Sequence, residues 1–240
     1  MNLNDFLKNK KVILIGPSES LLKNKNKDFI ESFDIVVRVN RGIEPTEKYS
    51  EFIGNRTDIL YNCMLEHPDN GGTINVDYFS KKKLKYLVYH PEVNFQGKTT
   101  NKPPKHLNRN RIIELEKANI KTNMIDSNFY NSISSQVNCR PNTGYIAIFD
   151  LLNYDIKELF ITGFTFYLDK FMPGYKDQVK KVEFKEKCFK SERHNQKNLW
   201  EFLKKSYKNN PKIKVDKYLH KILNLDELKN NNEIINYVFC

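Results

Sequence analysis

Apolar and polar positions run along this chain in blocks that change their period. Residues 11 to 16, KVILIG, form a short β-branched run closed by Gly16 and Pro17, which predicts a buried strand entering a turn. A polar stretch with sparse apolar anchors follows, SESLLKNKNKDFIESF, and then FDIVVRVNRG, a second strand closed by Gly42. Strand, helix-bearing loop and strand in that order read as the first β-α-β unit of a parallel sheet. Further strands are predicted at DILYNCM (58 to 64) and LKYLVYH (84 to 90), with a helix at NRNRIIELEKANI (108 to 120).

The alternation returns late in the chain. TGYIAIFDLLNYD (143 to 155) has helical spacing, KELFITGFTFY (157 to 167) reads as a strand, NQKNLWEFLKKSYKN (195 to 209) as an amphipathic helix, and KIKVDK (212 to 217) as a last strand. The predicted class is α/β, a doubly wound, mostly parallel, Rossmann-like sheet in a single domain over residues 1 to 240. Two stretches carry no period: 93 to 107, with paired prolines, and 168 to 193, which is basic and aromatic. Loops of that length are usually functional, and the second is expected to be a lid or acceptor loop.

Composition refines this picture. Hydrophobic residues at 39%, aromatics at 12% and charged residues at 29% suit a packed globule rather than a disordered chain. Forty Lys and Arg against 29 Asp and Glu give a net charge of +11, which attracts nucleic acid, anionic lipid or a phosphorylated substrate. The same lysines, found with abundant Asn, Ile, Tyr and Phe as AT-rich coding produces, need no partner at all. Cys63, Cys139, Cys188 and Cys240 lie far apart with no C-x-x-C pair, so reduced thiols are expected rather than a zinc site. No stretch approaches the ~20 apolar residues of a membrane helix and the N-terminus has no signal-peptide run, so a cytoplasmic chain is expected, with any membrane contact peripheral.

Candidate chemistry gathers at the predicted carboxyl edge of the sheet, where doubly wound folds bind ligands. The turn after the first strand holds Gly16, Pro17 and Ser18; it is neither a Walker loop nor a G-x-G-x-x-G turn, and its small residues are expected to let backbone amides reach a phosphate. VVRVNRG brings Arg38, Asn40 and Arg41 to the same edge, with Arg38 and Asn40 aimed to one side. Either a nucleotide or an internal carboxylate such as Asp34 or Asp58 could partner them. Asn142, Thr143 and Gly144 open a helix whose N-terminal amides make an anion seat, or a simple N-cap.

VILIGPSESLLKNKNKDFIESFDIVVRVNRG resembles the large sialylmotif of glycosyltransferase family 29 and is similar in outline to the bacterial sialyltransferases of family 42. CRPNTGYIAIFDLLNYDIKELFITGFTFY resembles the small sialylmotif. The resemblance implies an inverting, metal-independent transfer of sialic acid or a related sugar from a CMP-activated donor, with no cofactor, to a hydroxyl of a glycan or glycolipid. It carries donor contacts onto Gly16, Pro17, Ser18, Asn40 and Arg41, onto Asn142, Thr143 and Gly144, and onto the strand end Gly163, Phe164 and Thr165. By analogy with family 42, Asn62 is a further donor contact.

His194, just ahead of a late helix, takes the place of the base in these families. Two departures stand out. Pro17 occupies a position where the families usually carry Asn, and their H-x-x-x-x-E spacing meets Leu199, leaving Gln196 and Glu201 as polar neighbours. Without a D-x-D pair to hold a metal, the leaving charge falls to amides, hydroxyls and cations, among them Tyr167 and Tyr175 with Lys170 and Lys176 beside the lid. His67, His90, His106 and His220 are expected to be surface or loop residues. The competing readings are a transferase with another nucleotide-sugar donor, an inactive relative, and a basic binder of membrane or nucleic acid, with nucleic acid the less expected partner.

Overall fold

The computed structural model describes residues 2–94, 96–175, 189–229 and 232–239. The described residues build a seven-stranded, all-parallel sheet from β1 (Lys11–Ile15), β2 (Ile35–Val39), β3 (Ile59–Tyr61), β4 (Tyr86–Tyr89), β5 (Lys121–Met124), β6 (Glu158–Thr162) and β7 (Ile213–Val215). Their spatial order is β5-β4-β3-β2-β1-β6-β7. The helices in chain order are α1 (Leu3–Leu7), α2 (Lys27–Glu31), α3 (Thr46–Ile53), α4 (Val76–Lys81), α5 (Arg109–Lys117), α6 (Ser127–Val137), α7 (Thr143–Leu152), α8 (Gln196–Asn209), α9 (Lys217–Leu223) and α10 (Asn232–Phe239).

Both faces of the sheet are covered, which is why its strands read as unbroken apolar runs. On one face Val12, Leu14, Val37, Ile59, Val88 and Ile161 pack with residues of α1 and α6 to α10. The alternate residues point the other way: Ile13, Ile15 and Val36 meet α2 and α3, while Leu60 and Leu87 meet α4 and α5. Each buried aliphatic contributes roughly 1.5–3 kcal/mol, so a one-residue slip of register, which exchanges the two faces, is strongly disfavoured.

Three departures from the sequence reading have physical causes. β5 was not predicted because KTNM has no apolar run; it is an edge strand whose Thr122, Asn123 and Met124 are only half-buried. α6 is rich in serine and asparagine, and two of the five residues it buries, Ser127 and Ser134, are themselves polar beside Tyr130, Ile133 and Val137. β6 stops at Thr162 rather than at Tyr167, because Gly163, Phe166 and Tyr167 all take positive φ (71°, 49° and 61°) and turn the chain across the edge of the sheet.

Arg38 does not join Asn40 at the ligand edge. The strand ends at Val39, and Asn40 adopts φ 46°, which breaks the alternation that would have aligned the two side chains. Arg38 is 1% exposed on the α2/α3 face. Its Nε donates to Thr57 Oγ1 at 3.0 Å, and one terminal nitrogen donates to the carbonyl of Ile53 at 2.5 Å, with those of Gly54 and Arg56 at 3.3 Å. The Ile53 and Gly54 carbonyls close the C-terminus of α3, so the guanidinium is held by backbone carbonyls and by the Thr57 hydroxyl. Burial lowers its pKa to about 10, which leaves it charged. Among the described residues no helix is long and apolar enough to cross a membrane.

Candidate functional site

The strand order reverses at β1, whose neighbours β2 and β6 lead away in opposite directions, and the carboxyl ends at such a switch point form a crevice. Here two glycines let the backbones touch. A Cβ on Gly16 would lie 2.3 Å from the carbonyl oxygen of Gly163, and one on Gly163 would lie 2.7 Å from Leu21. Above this crossing opens a cleft of about 690 Å³ along the carboxyl edge. Pro17, Ser18, Asn40, Asn142, Thr143 and Gly144 line it, as do Gly163, Phe164 and Thr165 from the end of β6. Tyr167, Lys170 and Tyr175 line it from the following segment, and His194 from the start of α8. Turns 125 residues apart in sequence thus share one cleft with the candidate base.

The loop after β1 is not the phosphate cradle its small residues suggested. Its amides are already engaged: Gly16 donates to the carbonyl of Thr162, Ser18 to Gly163, Glu19 to Lys170 and Leu21 to Ser18. The Ser20 amide donates to Oδ2 of Asp169 at 2.8 Å, and Ser18 Oγ donates to the same oxygen at 2.5 Å. Pro17 has no amide hydrogen, and its carbonyl accepts from Met172. Asp169 is thus the acceptor for the Ser18 hydroxyl and the Ser20 amide, and it fastens the loop to the segment after β6.

The N-terminus of α7 differs. Asn142 caps it in the ordinary way, its Oδ1 accepting from the Tyr145 amide at 2.9 Å. The amides of Thr143 and Gly144 meet no acceptor among the described residues, and both residues face the cleft. Two such N–H groups at the positive end of a ten-residue helix form a seat for one anionic group. The Tyr145 hydroxyl donates to the Leu199 carbonyl and so ties this helix end to α8.

His194 precedes Asn195, the N-cap of α8. Its Nδ1 lies 2.7 Å from the carbonyl oxygen of Arg140, which can only accept, so Nδ1 carries a hydrogen and donates it. The Arg140 amide donates in turn to the Arg193 carbonyl at 3.0 Å. A backbone carbonyl thereby orients the ring. Glu201 is exposed on α8, and Gln196 is buried, donating to the backbone of His194.

Three expected donor contacts do not line the cleft. Gly16 lies behind it as the spacer described above. Arg41 turns to Glu44, with Nε at 2.9 Å from Oε2, and to the carbonyl of Pro68. Asn62 is fully buried: it donates to the Gly71 carbonyl at 2.8 Å and accepts from the Met64 amide at 2.7 Å, stitching the loop after β3. Asn40 stays at the cleft, its Oδ1 accepting from the Cys63 amide at 3.0 Å. The Tyr175 hydroxyl is pushed up in pKa by complete burial, against a hydrogen bond with Asn40, so it is a neutral group rather than a phenolate. Lys176 and the rest of 176–188, the centre of the expected lid, lie outside the described residues.

Residues that the sequence did not single out complete the walls. His90 was placed among surface histidines, yet it is 6% exposed, follows β4 directly and lines the cleft. Arg140 reaches the Val93 carbonyl at 3.4 Å, and burial lowers its pKa. Asp216 caps α9 and also accepts from Thr162 Oγ1 and the Gly163 amide at 2.7 and 2.9 Å, holding the end of β6 in place. Among the described residues no three His, Cys, Asp or Glu side chains cluster as a metal site.

No protein-family profile matches the chain, and no curated protein does. Solved structures do. A mammalian sialyltransferase in complex with Gal-beta-1-3GalNAc-ortho-nitrophenol is similar at TM-score 0.52 with 14% identity, over 89% of this chain and 71% of that one. A second structure of a mammalian sialyltransferase gives 0.51 and 16%, over 87% and 69%. The sialyltransferase CstII from Campylobacter jejuni, with cytidine-5'-monophosphate, gives 0.47 and 17%, over 96% and 97%. The first two likenesses show that the chain has the α/β fold of the sialyltransferase-type glycosyltransferases.

Proposed function

We propose that the chain is an inverting glycosyltransferase that moves sialic acid, or a related sugar, from a CMP-activated donor to a hydroxyl of a glycan or glycolipid. The observation that carries this reading is the pairing of one anion seat, the amides of Thr143 and Gly144, with an oriented imidazole at His194 in the same cleft. In doubly wound sheets a nucleoside diphosphate is commonly held at the turn after the first strand. The loop after β1, the usual place for one, is closed by Asp169 and by its own backbone bonds, which favours a single phosphate.

The proposed step is a direct displacement. His194 Nε2 takes the proton of the acceptor hydroxyl, its oxygen forms the bond to the anomeric carbon, and the bond from that carbon to the phosphate oxygen breaks, with CMP leaving on the electron pair. The leaving charge is met by the helix amides and by cleft groups such as Tyr167 and Lys170, without a metal in this reading. The disaccharide bound to one fold neighbour makes a β-galactoside a reasonable first acceptor. The charge of +11 suits a glycolipid acceptor at an anionic surface on the cytoplasmic side.

Calorimetric titration with CMP, CDP, UDP and GDP tests the donor class. Binding of CMP at least tenfold tighter than the three diphosphates supports the proposal; preferential binding of UDP or GDP overturns it.

A further inference from the structure

We infer that the cleft extends past the base into an acceptor subsite at the carboxyl end of β4, where Nε2 of His90 accepts a hydrogen bond from a sugar hydroxyl. This rests on the glycosyltransferase reading and adds to it the place and chemistry of acceptor recognition.

Position comes first. The donor seat lies at β1 and β6, and β4 is three strands from β1 along the sheet, about 14 Å at the usual strand spacing. Arg140, which holds the base through its carbonyl, reaches with its guanidinium to the carbonyl of Val93, three residues beyond His90. Arg140 thereby links the base to the segment that follows β4.

The state of His90 gives the chemistry. Its Nδ1 lies 2.7 Å from the Pro91 carbonyl and must donate to it, so Nε2 is an acceptor. Nε2 has no partner among the described residues, although the side chain is nearly buried and lines the cleft. The ring packs on Tyr130 with centroids 5.8 Å apart, which fixes its plane. A buried core histidine would have both nitrogens satisfied; this one lines a cavity instead. Burial, aided by the charges of Arg140, His106 and His194 and opposed by the bond to Pro91, lowers its pKa to about 4. It is therefore too weak a base to compete with His194 and suits an uncharged hydroxyl donor.

The surrounding wall fits a sugar ring. Val93 and Pro104 offer apolar surface, and the Glu92 carboxylate, 3.1 Å from Lys105 Nζ, offers further polar groups.

The test compares wild type with His90→Phe, which keeps a ring but removes the acceptor, and His90→Gln, which restores a polar atom near Nε2. CMP affinity is measured by calorimetry, and transfer from CMP-sialic acid is measured to a panel of galactose-, N-acetylgalactosamine- and sialic acid-terminated oligosaccharides. His90→Phe is expected to hold the CMP Kd within about twofold while raising acceptor KM at least tenfold, with Gln recovering part of the loss. Monodeoxy forms of the best acceptor give a second readout: one deoxygenation should raise KM in the wild type and have little effect in His90→Phe. An unchanged acceptor KM, a parallel loss of CMP binding in His90→Phe, or CMP release by the wild type with no transfer to any sugar of the panel overturns the subsite alone. Absence of both CMP binding and CMP release in the wild type overturns the glycosyltransferase reading, and the subsite with it.

Discussion

His194 donates its Nδ1 hydrogen to the carbonyl oxygen of Arg140 at 2.7 Å, and Arg140 stands two residues ahead of the cap of the helix that offers the anion seat. One short main-chain link thus fixes the base relative to the proposed phosphate position. His194→Ala should abolish transfer while CMP affinity stays within a few-fold. Transfer assays and calorimetry on the same preparation check this, and undiminished turnover would remove His194 from the mechanism.

Two glycines of the cleft should respond differently to an added methyl group. In Gly16→Ala the Cβ would lie 2.3 Å from the Gly163 carbonyl oxygen, and backbone cannot yield cheaply. That variant should lose several kcal/mol of stability, on the order of 3 or more. In Gly144→Ala the Cβ would lie 2.7 Å from the Phe164 ring, which can turn into the cleft. Its melting temperature should fall by only a few degrees while CMP affinity drops about tenfold or more. Thermal melts paired with CMP titrations separate the two, and equal melting losses would contradict the assignment.

The sequence revealed the parallel sheet because β1, β2, β3, β4 and β6 are buried on both faces and read as apolar runs. It did not reveal β5, whose edge position leaves half-exposed polar side chains. At the site, the helix start at Asn142 to Gly144 and the imidazole at 194 were legible from capping residues and local order. The closure of the β1 loop was not, since it depends on Asp169, some 150 residues away, entering as a ligand for Ser18 and Ser20. The expected alignment of Arg38 with Asn40 failed because strand alternation was extended one residue past the strand, into a positive φ. His90 could have been found: it closes YLVYHP at the same edge that drew attention to Asn40 and Asn62.

Asp150, inside α7, accepts a hydrogen bond from the Tyr61 hydroxyl at 2.6 Å in the core beneath the cleft. Burial raises its carboxyl to about 7, against the lowering effect of that bond. A raised folded pKa means the associated stability is fully present below the unfolded pKa of about 3.9 and is lost as pH rises through about 7. Asp150→Asn does not titrate, so its stability relative to wild type should climb between pH 4 and 7 and then level off. The total change is on the order of 4 kcal/mol at most. Urea unfolding of both proteins at pH 4.5, 6 and 8 checks this; a constant gap would show that Asp150 ionises normally in the fold.

Incubation with CMP-sialic acid and a sugar acceptor, following release of CMP with and without a chelator, tests most directly whether the cleft transfers a sugar from a single-phosphate donor. The expected result is CMP release by the wild type at the same rate with chelator present, and none by His194→Ala. No release by the folded wild type, or equal release by His194→Ala, would contradict the account.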